Sequence, residues 1–171
     1  EIVPKPTPLK GINRPYSRYG ILPEVFEDDL RRVKSPSAIL VTSLMTYWYP
    51  GVFEAIRRVR KIHPGVPVIL GGVYARLCRD HAVQFSGADR VESKQGIPAI
   101  YKILKDYGIS IPNGAPDTTV PDYPAFDLLN KIRYICLMTS TGCPYRCHYC
   151  ASHFLFPEFI QKDPHETLAE I

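Results

Sequence analysis

The sequence has no apolar run long enough to cross a membrane, and it contains no internal repeat or low-complexity tract. Its longest apolar stretches, residues 38–45 and 66–75, are far shorter than the roughly 20 residues that a membrane-spanning helix needs. These absences argue against a membrane protein and against a repeat array. We therefore expect a cytoplasmic protein without a membrane partner.

The sequence also lacks a strong excess of either charge. Its 21 basic and 17 acidic residues give a net charge of +4 and are interspersed along the chain. No basic patch stands out, so the charge gives no clear indication of a nucleic-acid partner. The chain begins at Glu1 without a methionine and ends at Ile171 inside an expected helix, so we expect it to be a fragment of a longer protein.

Cysteine is scarce but concentrated. Three of the five cysteines, Cys143, Cys147 and Cys150, follow the spacing C-x3-C-x2-C. They come after an apolar run over residues 134–138 and a turn over residues 139–142, so we expect them on a loop that leaves the carboxyl end of a strand. Three thiolates leave one metal position free for another ligand, which is typical of a reactive site. The spacing predicts an iron–sulfur cluster.

The cysteines are also compatible with roles outside such a cluster. Zinc could use the three thiolates with His148 or His153, although His148 lies between two of the cysteines. Disulfides would leave one cysteine of the odd total unpaired. Either histidine could instead hydrogen-bond a cluster without ligating it. Cys136 and Cys78 are expected to be small core residues.

The cysteine spacing, with the aromatic residue Tyr149 just before the last cysteine, resembles the cluster loop of radical S-adenosylmethionine (radical SAM) enzymes. The resemblance implies that Cys143, Cys147 and Cys150 hold a four-iron four-sulfur (4Fe-4S) cluster and that S-adenosylmethionine binds the fourth iron. It also implies that the backbone at Tyr149 lies against the adenine. The intact protein would be an enzyme with a reducing electron-donor protein as partner and a substrate that the chain does not identify.

The region before the cysteines alternates between strand and helix patterns. Continuous apolar runs predict strands that are buried on both faces, and amphipathic stretches predict helices between them. The predicted strands are residues 38–43, 66–70 and 87–91, and the predicted helices are residues 23–33, 50–63, 73–85 and 97–107. This order predicts a doubly wound parallel α/β sheet of the Rossmann-like type. The basic side chains of the second helix are expected to form a solvated face; they are Arg57, Arg58, Arg60 and Lys61.

Two short elements at the ends of the predicted strands are similar to those of cobalamin-binding domains. They are Ser43-Leu44-Met45 and Gly71-Gly72. The resemblance implies that Ser43, Gly71 and Gly72 line a cavity for the nucleotide tail of cobalamin. Met45 stands where that family has leucine, and the histidine motif that coordinates cobalt does not occur in this chain. A glycine pair after a strand is also compatible with a role in packing alone.

Together these patterns predict three regions. Residues 1–107 would form the partial cobalamin-binding-like domain, residues 108–132 a proline-rich linker, and residues 133–171 the beginning of a radical SAM partial (β/α) barrel. The first strand of that barrel would cover residues 134–140. Pro121-Asp122-Tyr123 resembles the segment that precedes the cluster strand in such proteins. Asp163 is expected to cap a helix that begins at Pro164.

The predicted reaction is reductive cleavage of S-adenosylmethionine to a 5′-deoxyadenosyl radical, with cobalamin-assisted methyl transfer if cobalamin is bound. Two further function classes remain open. One is a non-catalytic cofactor-binding module, and the other is a zinc-stabilised interaction domain.

Overall fold

The chain folds as a mixed α/β protein around a parallel sheet. The computed structural model describes residues 2–94, 96–110, 126, 129 and 131–171. Three strands form the sheet in the order β1-β2-β3: β1 (Ile39–Ser43), β2 (Val68–Gly71) and β3 (Arg90–Val91). Both strand pairs are parallel, with Ile39 opposite Val68 and Ile69 opposite Arg90. This order is compatible with a Rossmann-like sheet.

Helices connect the strands as the sequence pattern predicts. In chain order they are α1 (Pro23–Arg32), α2 (Tyr49–Ile62), α3 (Gly72–Leu77), α4 (Arg79–Phe85) and α5 (Ile97–Asp106). Short 3₁₀ helices cover Thr7–Leu9 and Thr46–Trp48. The predicted single helix over residues 73–85 is wrong in one respect, because it is broken at Cys78, whose backbone angles are φ −128° and ψ 45°. Within the part of the chain that the structure describes, no helix has the length and apolar content needed to cross a membrane.

The core lies between the sheet and α2, α3 and α4. Val68 and Leu70 point to this face of β2 and pack with Ile56 and Val59 of α2 and with Tyr74 of α3. Ala75 of α3 and Ala82 of α4 are also fully buried in this cluster. Alternation places the Ile69 side chain on the opposite face, where it is also buried. The prediction that this strand is covered on both faces is therefore confirmed.

For β1 the same prediction is wrong. Leu40, which is the neighbour of Ile69 across the ladder, has 54% of its surface exposed. Ile39 and Val41 face the core cluster, so the strand is covered on one face only by the residues that the structure describes. The cause is position, because β1 is at the edge of the three-stranded sheet.

The basic residues of α2 are not a uniformly solvated face, and that prediction is corrected. Only 17% of the Arg58 side chain is exposed, and it forms ion pairs with Glu27 of α1 and Glu54 of α2. Arg60 pairs with Asp89 at the start of β3, with a 2.8 Å nitrogen-to-oxygen distance. These charges connect α2 to its neighbours because acidic residues on other elements lie opposite them.

The region after residue 131 contains short elements. Two antiparallel strands, β4 (Ser140–Thr141) and β5 (Ile160–Gln161), flank α6 (Ser152–Leu155), and α7 (Pro164–Ala169) follows. The predicted strand over residues 134–140 is wrong except at Ser140. An isolated apolar run has no partner for its backbone hydrogen bonds, and no described strand lies beside residues 134–138. The prediction that Cys136 is a core residue is also wrong, because its side chain is exposed.

The predicted helix cap after β5 is confirmed. Asp163 is the N-cap of α7, its side chain accepts a 2.7 Å hydrogen bond from the His165 amide, and Pro164 is the first helical residue. The predicted linker falls largely on residues 111–125, and Pro121-Asp122-Tyr123 lies outside the described residues.

Candidate functional site

All three clustered cysteines lie on one loop whose ends are tied together. We call residues 142–159, between β4 and β5, the cysteine loop. At its base Ser140 is paired with Gln161 and Thr141 with Ile160. The Lys162 amide extends this pairing with a 2.9 Å hydrogen bond to the Thr139 carbonyl. The loop is therefore closed by a short antiparallel ladder.

Gly142 makes this closure possible. Its φ angle is +80°, a conformation that favours glycine, and a Cβ atom at this position would overlap the carbonyl group of Glu158. It would also lie 3.1 Å from the Phe159 Cα. The two ends of the cysteine loop thus approach each other so closely that the residue before Cys143 has to be glycine.

The three thiols of the loop are free. Cys143 and Cys150 are half-buried and Cys147 is exposed. The Cys150 amide donates a 3.0 Å hydrogen bond to the Cys147 carbonyl, so the backbone turns between these two cysteines. The Cys150 thiol contacts Ser152 Oγ at 3.1 Å, and hydrogen bonds from the Ser152 side chain and amide hold the pKa of Cys150 below its ordinary value. A lowered pKa increases the fraction of this thiol that is deprotonated at a given pH.

The donor chemistry of the loop fits an iron–sulfur cluster, because it offers three free thiols within residues 143–150 and one of them has a lowered pKa. The side chains are not gathered, however. Among the described residues no group of three or more His, Cys, Asp or Glu side chains is placed to hold a metal ion. Ligation here would require the thiols to turn toward a common centre.

The other predicted residues of the loop are Tyr149, His148 and His153. Tyr149 is 92% exposed. The ring of His153 lies against that of Phe154, with a 4.0 Å distance between centroids. Neither His153 nor His148 belongs to a metal-ligating group in the described part of the chain. Their ligation of zinc and the contact of Tyr149 with an adenine stay predictions.

The residues predicted to line a cobalamin site lie together at the carboxyl edge of the sheet. Ser43 and Gly72 form a parallel bridge, and Gly71 is opposite Thr42. The φ angle of Gly72 is +85°, and a Cβ atom there would lie 2.6 Å from the Ser43 carbonyl oxygen. The Ser43 hydroxyl is buried and donates a 2.8 Å hydrogen bond to the Met45 carbonyl. Packing and turn formation account for these contacts.

Sequence reasoning missed a group of aromatic side chains beside this edge. The Tyr74 hydroxyl is 2.6 Å from Nδ1 of His81, and burial raises the pKa of this tyrosine. The His81 ring is surrounded by Tyr49, Phe53 and Phe85. Tyr74, His81 and Phe85 are seven and four positions apart, a spacing that places them on one face of a helix, so helical spacing gave a weak signal for this group. Tyr49 and Phe53 come from α2, and a contact between two helices has no signal in local spacing.

Two clefts lie near the candidate residues without including them. One of about 460 Å³ lies at the end of β3, between Arg79, Arg90 and Lys94. The other, of about 720 Å³, lies beside β4, β5 and α7 and includes Cys136 and Glu170. Lys162 forms an ion pair with Glu170 at its wall. Neither cleft is lined by the three loop cysteines or by the glycine pair.

The fold and the site define a mixed α/β protein with a three-stranded parallel sheet and a closed loop that carries three free thiols. Comparison with family models, with curated proteins and with solved structures found no match for this chain. Functional assignment therefore depends on the residues themselves and on their geometry.

Proposed function

We propose that this chain is part of a radical SAM enzyme, in which Cys143, Cys147 and Cys150 hold a 4Fe-4S cluster. The observation that carries the proposal is the C-x3-C-x2-C set of free thiols on one loop that is closed at its base by β4 and β5. Three ligands from a single loop leave one iron for S-adenosylmethionine. A reduced cluster would supply one electron to the sulfonium of S-adenosylmethionine. Cleavage of the bond between sulfur and the 5′ carbon would then release methionine and a 5′-deoxyadenosyl radical.

The residues of the chain have their own part in this proposal. The ladder at Ser140 and Thr141 would fix the base of the loop, and the turn between Cys147 and Cys150 would hold two ligands near each other. The hydrogen bonds from Ser152 favour the deprotonated Cys150 that a metal requires. A reducing electron-donor protein and a substrate, whose identity the described residues do not specify, complete the proposed system.

The proposal extends to the fold. We propose that the three-stranded sheet is a cobalamin-binding-type domain and that residues 133–171 begin a partial (β/α) barrel. The clustering of Ser43, Gly71 and Gly72 at the carboxyl edge supports a ligand site there, since ligands of parallel sheets bind at that edge. Cobalamin is the ligand that we propose for it.

The test is the metal and sulfide content of the anaerobically reconstituted chain. We expect about four irons and four acid-labile sulfides per chain, lost when Cys143, Cys147 and Cys150 are replaced by serine. Cys78→Ser and Cys136→Ser are matched controls, because both cysteines lie outside the loop, and they should retain the cluster. Stoichiometric zinc without sulfide would overturn the proposal and favour a zinc-stabilised interaction domain.

A further inference from the structure

We propose that Arg76 is a positioning residue that holds α6, the short helix within the cysteine loop, against α3, the helix that begins at the carboxyl edge of the sheet. The contact itself is a property of the metal-free chain. Its consequence for a cofactor depends on the proposed function, because only then does the loop hold a cluster.

The contact joins parts of the chain that are far apart in sequence. Nη2 of Arg76 donates a hydrogen bond to the Leu155 carbonyl, which is 79 residues away. The guanidinium carbon also lies 5.5 Å from the centroid of the Phe156 ring, within the range of a cation–π interaction. The backbones of α3 and α6 are in contact as well. Arg76 thus combines a hydrogen bond and a ring contact at one interface.

The chemistry of α6 explains why it needs such a partner. This helix has only four residues, too few to be stable by itself. Its last carbonyl groups have no partner within the helix, and Leu155 is the residue at its carboxyl end. A cationic donor is the favourable partner at that end of a helix. Arg76 supplies both the donor and the charge from another element.

Stabilising α6 also positions a thiol. The first residue of α6 is Ser152, whose hydroxyl contacts the Cys150 thiol at 3.1 Å. If α6 unwinds, Ser152 loses its fixed position and the last cysteine of the loop loses its neighbour. Arg76 therefore acts on Cys150 through α6, without touching the thiol.

The other end of α3 is fixed to the sheet. Gly72, its first residue, packs so tightly on Ser43 that no side chain fits between them. Arg76 is four positions after Gly72, which corresponds to about 6 Å along a helix. The candidate ligand edge and α6 of the cysteine loop are therefore attached to the same helix about one turn apart. A ligand at the edge and a cofactor in the loop would be near neighbours.

The test is hydrogen exchange, followed by mass spectrometry, on the metal-free 171-residue chain. The amides of Phe154, Leu155 and Phe156 are hydrogen-bonded within and next to α6. In Arg76→Leu, which keeps an apolar stem and removes the donors, we expect their exchange to become about tenfold faster. Exchange in β2 should not change.

The control is Arg79→Leu, because Arg79 lies nearby on α4 and forms a 3.8 Å ion pair with the exposed Asp80. It should leave exchange in α6 unchanged. Arg76→Lys keeps the charge and one donor, so it should restore most of the protection. Unchanged exchange at residues 154–156 in Arg76→Leu would overturn the inference. So would an equal increase in β2, because that would indicate a general loss of stability.

The result of this experiment can be separated from the result of the test of the proposed function. Failure of the wild-type chain to bind iron and sulfide would remove the proposed cluster, whereas the exchange experiment would still decide the contact. A chain that binds the cluster but shows no Arg76-dependent protection would keep the proposed function and lose the positioning role.

Discussion

Arg58 of α2 reaches Glu27 of α1 and forms an ion pair that is largely shielded from solvent, with 17% and 12% of the two side chains exposed. The same carboxylate also accepts a 2.9 Å hydrogen bond from Arg31 and lies 3.6 Å from Lys61. Burial alone would raise the pKa of Glu27, but the charges of Lys61 and Arg58 outweigh it and hold the pKa below its ordinary value. One carboxylate therefore joins two helices through three cations.

Replacing this carboxylate should loosen α1 from α2. In Glu27→Gln the three cations lose their shared partner, and Arg58 is left facing Glu54 alone. We expect the thermal midpoint to fall by about 3 °C or more. Glu24→Gln is the control, because Glu24 is an exposed residue of the same helix. Circular dichroism measures the thermal midpoint of each variant. Equal midpoints for Glu27→Gln and Glu24→Gln would show that the network contributes nothing to stability.

Asp89 should make stability depend on pH. Its carboxylate accepts a 2.7 Å hydrogen bond from the Val68 amide and pairs with Arg60. Burial raises its pKa, but the bonds from Arg60 and Val68 outweigh this, so the pKa lies below the ordinary value. A carboxylate whose pKa is lower in the folded state than in the unfolded state stabilises the fold when the pH is above the unfolded-state pKa. This stabilisation is lost as the pH falls toward the folded-state pKa.

We therefore expect Asp89→Asn to destabilise the chain by roughly 1–2 kcal/mol at near-neutral pH. The difference from wild type should shrink as the pH falls below about 4. Urea unfolding at several pH values measures it. Asp80→Asn serves as the control, since Asp80 is fully exposed and 3.8 Å from Arg79. A difference that persists unchanged at low pH would show that the charge of Asp89 is not the cause.

A side chain at Gly72 should be costly. The positive φ angle and the overlap of a Cβ with the Ser43 backbone act together, so Gly72→Ala should lose at least about 2 kcal/mol of unfolding free energy. Gly51 provides a matched comparison, because it lies in α2 with open space around it. Gly51→Ala should be neutral or stabilising by roughly 0.5 kcal/mol. Urea unfolding of both variants measures the difference. If the two changes had the same effect, close packing at Gly72 would not be the cause.

Gly142→Ala should open the base of the cysteine loop. The added Cβ would overlap the Glu158 carbonyl, and the β4–β5 pairing would have to shift. We expect exchange of the Lys162 amide to become about tenfold faster or more. If the loop holds the proposed cluster, retention of its iron after reconstitution should fall as well. Gly108→Ala is the control, since Gly108 also has a positive φ angle, of +70°, but nothing near its Cβ position. If exchange of the Lys162 amide increases equally in both variants, a general loss of stability and not the opening of the loop is responsible.

Local patterns in the sequence were enough to predict most helices and strands around the parallel sheet. Pro23 and Pro50 near helix starts and the short apolar runs placed α1, α2, β1 and β2 within one or two residues. The break at Cys78 could not be predicted, because neither glycine nor proline marks it. Local periodicity carries no signal for it either.

The cysteine loop was predictable as a loop, but its closure was not. The spacing of Cys143, Cys147 and Cys150 identifies the proposed ligands, whereas the partner of β4 lies about 20 residues further along, in a two-residue strand. Strands this short leave no alternating pattern in the sequence. Arg76 was missed for a related reason, because its partner is a main-chain carbonyl and carries no sequence signal.

The ladder between β4 and β5 has a thermodynamic consequence for any metal that binds the loop. A flexible chain must lose conformational entropy when distant ligands are brought to one centre, and that loss grows with the length of the segment between them. Here Thr141 and Ile160 are already paired, so the ends of the segment are fixed before a metal arrives. Binding then has to order only the interior of the loop. Each thiol that engages the metal raises the local concentration of the next, and assembly should be correspondingly cooperative.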